Sequence, residues 1–146
     1  MNSFFIYNAK KEDLSWVNSQ YASIGFLPSS IENETIDIAE YNGQKCGLGR
    51  LIYIDDNNVE LSGIYVLENY RKQGIAQNII RFLLKDFQQT NKTIWCLPFK
   101  FLTPFYESFG LAQVNEVTTI PKSIAKKRDW CHENYETEVV LLYKHI

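Results

Sequence analysis

The chain has 146 residues, 45% of them apolar, and a formal net charge of −2. That length suits one domain with one core, and a balanced charge without a long basic run excludes an electrostatic nucleic-acid footprint. No apolar stretch approaches the ~18 residues of a membrane span, and Cys46, Cys96 and Cys131 are too scattered for a disulfide framework or a structural zinc site.

The start, Met1 to Tyr7, lacks the positive head and small-residue cleavage site of a secretory signal, so a reducing cytoplasmic compartment is expected. Within it, Phe4 to Tyr7 reads as a short strand. Lys11 to Ile24 carries Leu14, Val17, Tyr21 and Ile24 at helical spacing and ends at Gly25. Pro28-Ser29-Ser30 is a loop or the start of a second short helix. Thr35 to Glu40 alternates as a strand does, and Asn42-Gly43 is a hairpin turn leading into a returning strand, Cys46 to Ile54. A second turn, Asp55 to Asn58, precedes the strand Val59 to Val66, which completes an antiparallel meander.

The strongest helical signal follows. From Ile75 to Gln88, residues Ile75, Ile79, Phe82, Leu83 and Phe87 share one side. Lys92 to Leu97 reads as a strand, reached by a right-handed crossover that sets it parallel to the one before the helix. Thr103 to Phe109 is a short helix capped by Gly110, and Ala112 to Ile120 a further strand. Pro121 opens a helix to about Tyr135, and Glu138 to Tyr143 closes the chain as an apolar strand. The pattern predicts a mixed α/β sheet in a single domain over residues 1–146.

The stretch Glu60 to Ala76 joins a strand, a tight loop and a long helix. A helix start leaves backbone N–H groups without partners and carries partial positive charge, so a phosphate is well held there. Gly74 permits close backbone approach, Ala76 keeps the first turn uncluttered, and Arg71 and Lys72 add charge. A Walker loop is a poorer reading, because no Gly-Lys-Ser/Thr follows, and so is a dinucleotide fold, because the three-glycine fingerprint is missing.

Arg71-x-x-Gly74-x-Ala76 resembles the phosphate loop of the GNAT superfamily: Gln or Arg, two residues, Gly, one residue, then Gly or Ala. The preceding apolar strand, the amphipathic helix, Trp95-Cys96-Leu97-Pro98-Phe99 and Phe105-Tyr106-x-x-Phe109-Gly110 fit the same family, over about Glu40 to Val114. The resemblance implies an α/β (α+β) fold, a mixed and mostly antiparallel sheet of six or seven strands flanked by four or five helices. It implies acetyl-coenzyme A as cosubstrate, with no metal. The pyrophosphate would lie on Arg71, Lys72, Gln73, Gly74, Ile75 and Ala76, and the pantetheine arm along Ile64, Tyr65 and Val66.

Gly63 inside the strand suggests a bulge that frees an N–H for the thioester carbonyl. By the same resemblance Glu60 is the candidate base, with Ser62 on its face to hold a water, and Tyr106 the acid for the leaving thiolate. Where many members carry an Asn contacting the cofactor, this chain has Phe99 to Pro104, with Lys100 or Thr103 as substitutes. Trp16, Tyr21 and Phe26 fall where relatives shape the acceptor pocket, or are ordinary core and surface aromatics. Glu32, Glu34 and Asp37 either attract a cationic amine or lie in a solvated loop. Cys131 and His132 are adjacent, about 100° apart on a helix, and so do not form a nucleophile–base pair. Cys96 reads as a small core residue, and Lys126-Lys127-Arg128 as a solvated face.

The expected function is transfer of an acetyl group to an amine of a small molecule, or of a protein, by direct attack in a ternary complex. The rival is a non-catalytic acyl-coenzyme A-binding sensor or regulatory module. Partners are the cosubstrate and an unidentified amine; neither nucleic acid nor membrane is expected, and the chain is a monomer or homodimer.

Overall fold

The computed structural model of the chain describes residues 3–85, 87, 91–115 and 117–146. Strand β1 is Phe4–Asn8, and helix α1 is Leu14–Ser23, entered through a 3-10 turn at Lys11–Asp13. Strands β2 (Glu34–Tyr41), β3 (Gln44–Asp55) and β4 (Asn58–Val66) follow, then α2 (Ile75–Leu84) and β5 (Thr93–Cys96). The remaining elements are α3 (Thr103–Glu107), β6 (Ala112–Gln113), α4 (Lys122–Asn134) and β7 (Leu142–His145). Among the described residues, seven strands form one sheet in the order β1-β2-β3-β4-β5-β7-β6. Only the β4–β5 pairing is parallel among the registers β1–β2, β2–β3, β4–β5, β5–β7 and β6–β7.

The β2–β3 hairpin turns where the sequence predicts it. Asn42 and Gly43 take φ of 51° and 80°, the pair of left-handed residues that a tight hairpin needs. At the β3–β4 turn, the Asp55 carboxylate accepts from the Asn57 backbone N–H and the Asn58 side-chain amide. Two expected elements are shorter or displaced. The strand expected over Ala112 to Ile120 ends at Gln113, because the Asn115 side chain accepts from the Val117 N–H and closes a turn; Glu116 lies outside the described residues. The last strand is shifted to Leu142–His145, while Val139 forms an isolated bridge to Phe99. Helix α2 is described to Leu84, and the expected end at Gln88 lies outside the described residues. Pro28 to Ser30 is a loop.

The chain divides into two compact units, Met1–Ile52 with Gly63–Gln88 and Tyr53–Ser62 with Gln89–Ile146. In the first, Val17, Tyr21, Ile36, Ile38 and Leu48 form a buried cluster flanked by Trp16, Ile24, Phe26 and Tyr65. Helix α2 also lies close on β3 in this unit: a methyl on Gly49 would fall 2.8 Å from Ile79 Cγ2. In the second, Trp95, Ile124 and Leu141 are the buried centre, with Ile54, Leu97 and Tyr143 against them. Trp95 is pinned there by its indole N–H, which donates to Asn58 Oδ1 at 2.8 Å.

Candidate active site

The loop between β4 and α2 has the backbone of an anion site. A 3-10 turn at Glu68–Tyr70 leads into Arg71, then Lys72 takes φ of 64° and Gly74 φ of 80°. Gly74 is the residue just before the helix, and its carbonyl accepts the first bond of the ladder, from the Asn78 N–H at 3.2 Å. The amides of Ile75, Ala76 and Gln77 therefore precede the ladder, and no side chain caps the helix start. Arg71, Lys72 and Gln73 are exposed, and Ile75 turns its side chain into the core, so its part at the loop is played by its amide. Arg71 is tethered: its Nε donates to the Val66 carbonyl at 2.9 Å and its guanidinium lies 5.6 Å from the Tyr65 ring centre. These contacts keep one cation beside the helix start.

Upstream on β4, Gly63 adopts φ of 64°, so the strand departs from the regular pleat where a bulge is expected. Its carbonyl accepts a hydrogen bond from the Tyr21 hydroxyl at 2.9 Å. In a trans peptide the N–H of the next residue points opposite to that carbonyl, so Tyr21 fixes the direction of the Ile64 N–H. A Cβ on residue 63 would lie 2.5 Å from the Tyr21 hydroxyl, which makes glycine obligatory for space as well as for φ. Tyr21 is fully buried, and burial holds its phenol in the neutral, donating form. Its ring stacks on Phe26 and carries the Arg50 guanidinium 4.3 Å from its centre.

Arg50 is 2% exposed. It donates to the Leu27 carbonyl and the Ser29 hydroxyl and lies 3.9 Å from the Glu34 carboxylate. Glu34 accepts in addition from the Ser30 N–H at 2.9 Å. Asp37 is buried on β2 and accepts from the Asn8 side chain. Neither Glu34 nor Asp37 lies in a solvated loop, because β2 carries both into the sheet; Glu32 is exposed in the loop before it.

Glu60 and Ser62 share one face of β4, as alternation requires. Glu60 is 4% exposed and its carboxylate accepts from Lys127 Nζ at 2.7 Å, while the same ammonium lies 3.3 Å from Ser62 Oγ. This corrects the expectation of a solvated Lys126-Lys127-Arg128 face: on α4, Lys127 lies between the buried Ile124 and Cys131 at helical spacing and so points inward, while Lys126 is exposed. Cys96 is buried on β5, and burial pushes its thiol well up, with the Glu60 charge adding to the effect. Burial also raises the thiols of Cys131 and Cys46. His132, next to Cys131, is exposed.

The parallel register of β4 with β5 runs from Asn58↔Thr93 to Leu61↔Cys96. Beyond it β5 gives way to Leu97 and Pro98, and the chain enters the turn before α3. Tyr106 is buried on α3, with its ring edge-on to Phe105 at 5.1 Å. Thr103 turns its hydroxyl to the Lys100 carbonyl at 2.7 Å, and Lys100 pairs with Glu138 at 3.5 Å on the surface.

A model of the acetyltransferase (GNAT) family matches residues 4–111, about three quarters of the chain. The chain belongs to the GNAT acetyltransferase family. No curated protein matches it. Among solved structures, the N-acetylglutamate synthase of Neisseria gonorrhoeae, complexed with coenzyme A and L-arginine, is similar at a TM-score of 0.73 and 13% identity. That similarity covers 98% of this chain but 33% of the synthase, so the chain spans about a third of its length. A GNAT family acetyltransferase from Elizabethkingia anophelis with acetyl-CoA bound matches at 0.65 and 16% identity, over 98% of each chain. The ribosomal-protein-S18-alanine N-acetyltransferase of Escherichia coli matches at 0.70 and 16% identity, over 100% of this chain and 94% of its own. At these identities the likeness is one of fold, and the seven-stranded, mostly antiparallel sheet with α1 to α4 is the GNAT fold.

In this GNAT chain, the sequence-predicted Arg71, Lys72, Gln73, Gly74, Ile75 and Ala76 fall on one loop and helix start, separated by Leu67 and the 3-10 turn Glu68–Tyr70 from Ile64, Tyr65 and Val66 at the end of β4. Glu60 and Tyr106 fall on β4 and α3 of the second unit. Sequence reasoning missed Arg50 as a buried cation and Lys127 as a half-buried one. For Lys127 a signal existed in its spacing from Ile124 and Cys131. For Arg50 none did, because Ser29 and Glu34 are remote in the chain. Among the described residues no helix is long and apolar enough to cross a membrane.

Proposed function

We propose that the chain transfers an acetyl group from acetyl-coenzyme A to the amine of a small molecule, and that residues 1–146 act as one catalytic domain. One observation carries the reading: in a chain of this family, α2 begins behind a left-handed Gly74 with its first amides uncapped and Arg71 tethered alongside. That arrangement fits a pyrophosphate, which accepts several N–H bonds and needs positive charge. It is also the feature expected if the bound molecule is one that the Neisseria and Elizabethkingia structures hold, coenzyme A or acetyl-CoA.

In this reading the pantetheine arm runs from the loop back along β4, pairing with backbone groups of Ile64, Tyr65 and Val66 as an added strand would. The Ile64 N–H, directed by the Tyr21–Gly63 bond, donates to the thioester carbonyl and stabilises the oxyanion of the tetrahedral intermediate. Glu60 takes a proton from the acceptor ammonium. The neutral amine then attacks the carbonyl carbon, the C–N bond forms and the C–S bond breaks. The Tyr106 hydroxyl gives a proton to the departing thiolate, and the second proton that the amine nitrogen sheds as the amide forms passes through solvent to restore it. The buried thiols and the absence of any disulfide among the described residues suit a reducing compartment such as the cytoplasm.

The test is calorimetric titration with acetyl-coenzyme A, followed by a screen of primary amines for coenzyme A release. The expected result is binding lost in Arg71→Glu and release that depends on the amine. Binding without release on any amine class would favour a non-catalytic sensor, and no binding at all would end the reading.

A further inference from the structure

The Glu60 carboxylate already holds an amine. Lys127 Nζ lies 2.7 Å from Glu60 Oε2 and 3.3 Å from Ser62 Oγ, on the face of β4 that carries both side chains. The pair is not sealed: the Lys127 side chain keeps 18% of its surface exposed. A buried ion pair adds little to stability over apolar residues of the same size, because desolvation offsets the attraction. The arrangement is, however, what an acyl acceptor requires: an ammonium against the group that deprotonates it, on the strand where the thioester is bound. We propose that Lys127 is itself an acceptor, and that the enzyme acetylates this lysine from its own bound acetyl-coenzyme A. The inference rests on the reading of Glu60 and β4 given under the proposed function.

The step balances without another reactant. Glu60 takes a proton from the Lys127 ammonium. The free amine attacks the thioester carbonyl carbon, the Nζ–C bond forms, the C–S bond breaks, and coenzyme A leaves as a thiolate that takes up the second proton shed by Nζ. The product is an amide at Lys127 that no longer carries charge, so the ion pair ends, and Glu60 returns its proton to solvent before it serves a second amine. Solvent chemistry favours other lysines. Lys126, next in the chain, is exposed and is acetylated more readily by the thioester alone.

The experiment incubates the full chain with acetyl-coenzyme A and no added amine, then follows each lysine by peptide mass spectrometry. Calorimetry and amine-dependent release are measured on the same preparation. The expected result is Lys127 modified at least roughly tenfold faster than Lys126, the advantage of an amine held in place, at a rate independent of protein concentration. Glu60→Gln, which keeps the side-chain shape, is expected to remove the modification at Lys127 and leave that at Lys126. Preferential modification of Lys126, or a rate at Lys127 that rises with protein concentration, would overturn the proposal. Binding and amine turnover with Lys127 unmodified would overturn this inference alone. Absence of acetyl-coenzyme A binding would overturn both readings.

Discussion

Two buried phenols in this chain do different work. Tyr21 spends its hydroxyl on the Gly63 carbonyl, inside the unit that carries the loop between β4 and α2. Tyr106 sits on α3 in the other unit, packed edge-on to Phe105. Tyr21→Phe removes the hydroxyl bond to a buried carbonyl, which costs about 1–3 kcal/mol. It also frees the Gly63–Ile64 peptide to rotate, so kcat falls as the urea midpoint does. Tyr106→Phe removes the proposed proton donor: kcat is expected to fall by about 10²-fold, with acetyl-coenzyme A affinity kept. Calorimetry, steady-state kinetics and urea unfolding on the two variants separate these outcomes, and an unchanged kcat in Tyr106→Phe removes that residue from the mechanism. Both tyrosines are visible in the sequence, but only Tyr106 has a local motif to mark it. Tyr21 reads as one more apolar position on α1, because its partner is far along the chain. The same holds for Arg50, whose buried partners lie in the loop before β2 and on β2 itself.

At the level of elements, α2 is divided along its length. Its start presents backbone amides behind Gly74, while Ile75, Ile79, Ile80 and Leu83 are buried in the core. Binding and stability should therefore separate along one helix. Ile79→Ala removes a fully buried side chain and is expected to cost about 2–5 kcal/mol with acetyl-coenzyme A affinity nearly kept. Arg71→Ala, at an exposed position, is expected to weaken binding about tenfold, the loss of one charge-assisted contact, while shifting stability by less than about 0.5 kcal/mol. Chemical denaturation and calorimetry on both variants decide the matter. The amphipathic period of α2 and the Asn-Gly turn were legible because each is a local signal with a local cause. The strand after α3 was not, because a single Asn side chain closes a turn at Asn115 to Thr118 against the propensity of its neighbours. Lys127 was misread for a related reason. Three adjacent basic residues look solvated as a block, yet on a helix they face three directions.

For the whole molecule, the buried titratable groups set the response to alkali. Burial raises the Tyr21 phenol and the Cys46, Cys96 and Cys131 thiols above their ordinary values. In the unfolded chain the thiols lose protons near pH ~8.5 and the phenol near ~10. Above those values the native state binds more protons than the unfolded one, so stability falls as pH rises and is undiminished below them. The urea midpoint is expected to hold from pH 7 to 8 and to decline steadily from 9 to 11. A midpoint that rises over that upper range would contradict it. The sequence shows three scattered cysteines and no more; that all three are covered depends on β3, β5 and α4 being laid against other elements.

Those covered sulfurs also change how the molecule can be handled at the bench. A thiol needs its thiolate exposed to attack an aromatic disulfide dye, and Cys46, Cys96 and Cys131, the three cysteines of the chain, are all buried. Folded protein should thus stay colourless with such a dye while liberated coenzyme A reacts at once, giving a continuous colorimetric record without a protein blank. In denaturant the same dye should titrate three equivalents per chain. Without denaturant, the slow creep of colour would time how often the native structure opens far enough to let the dye in.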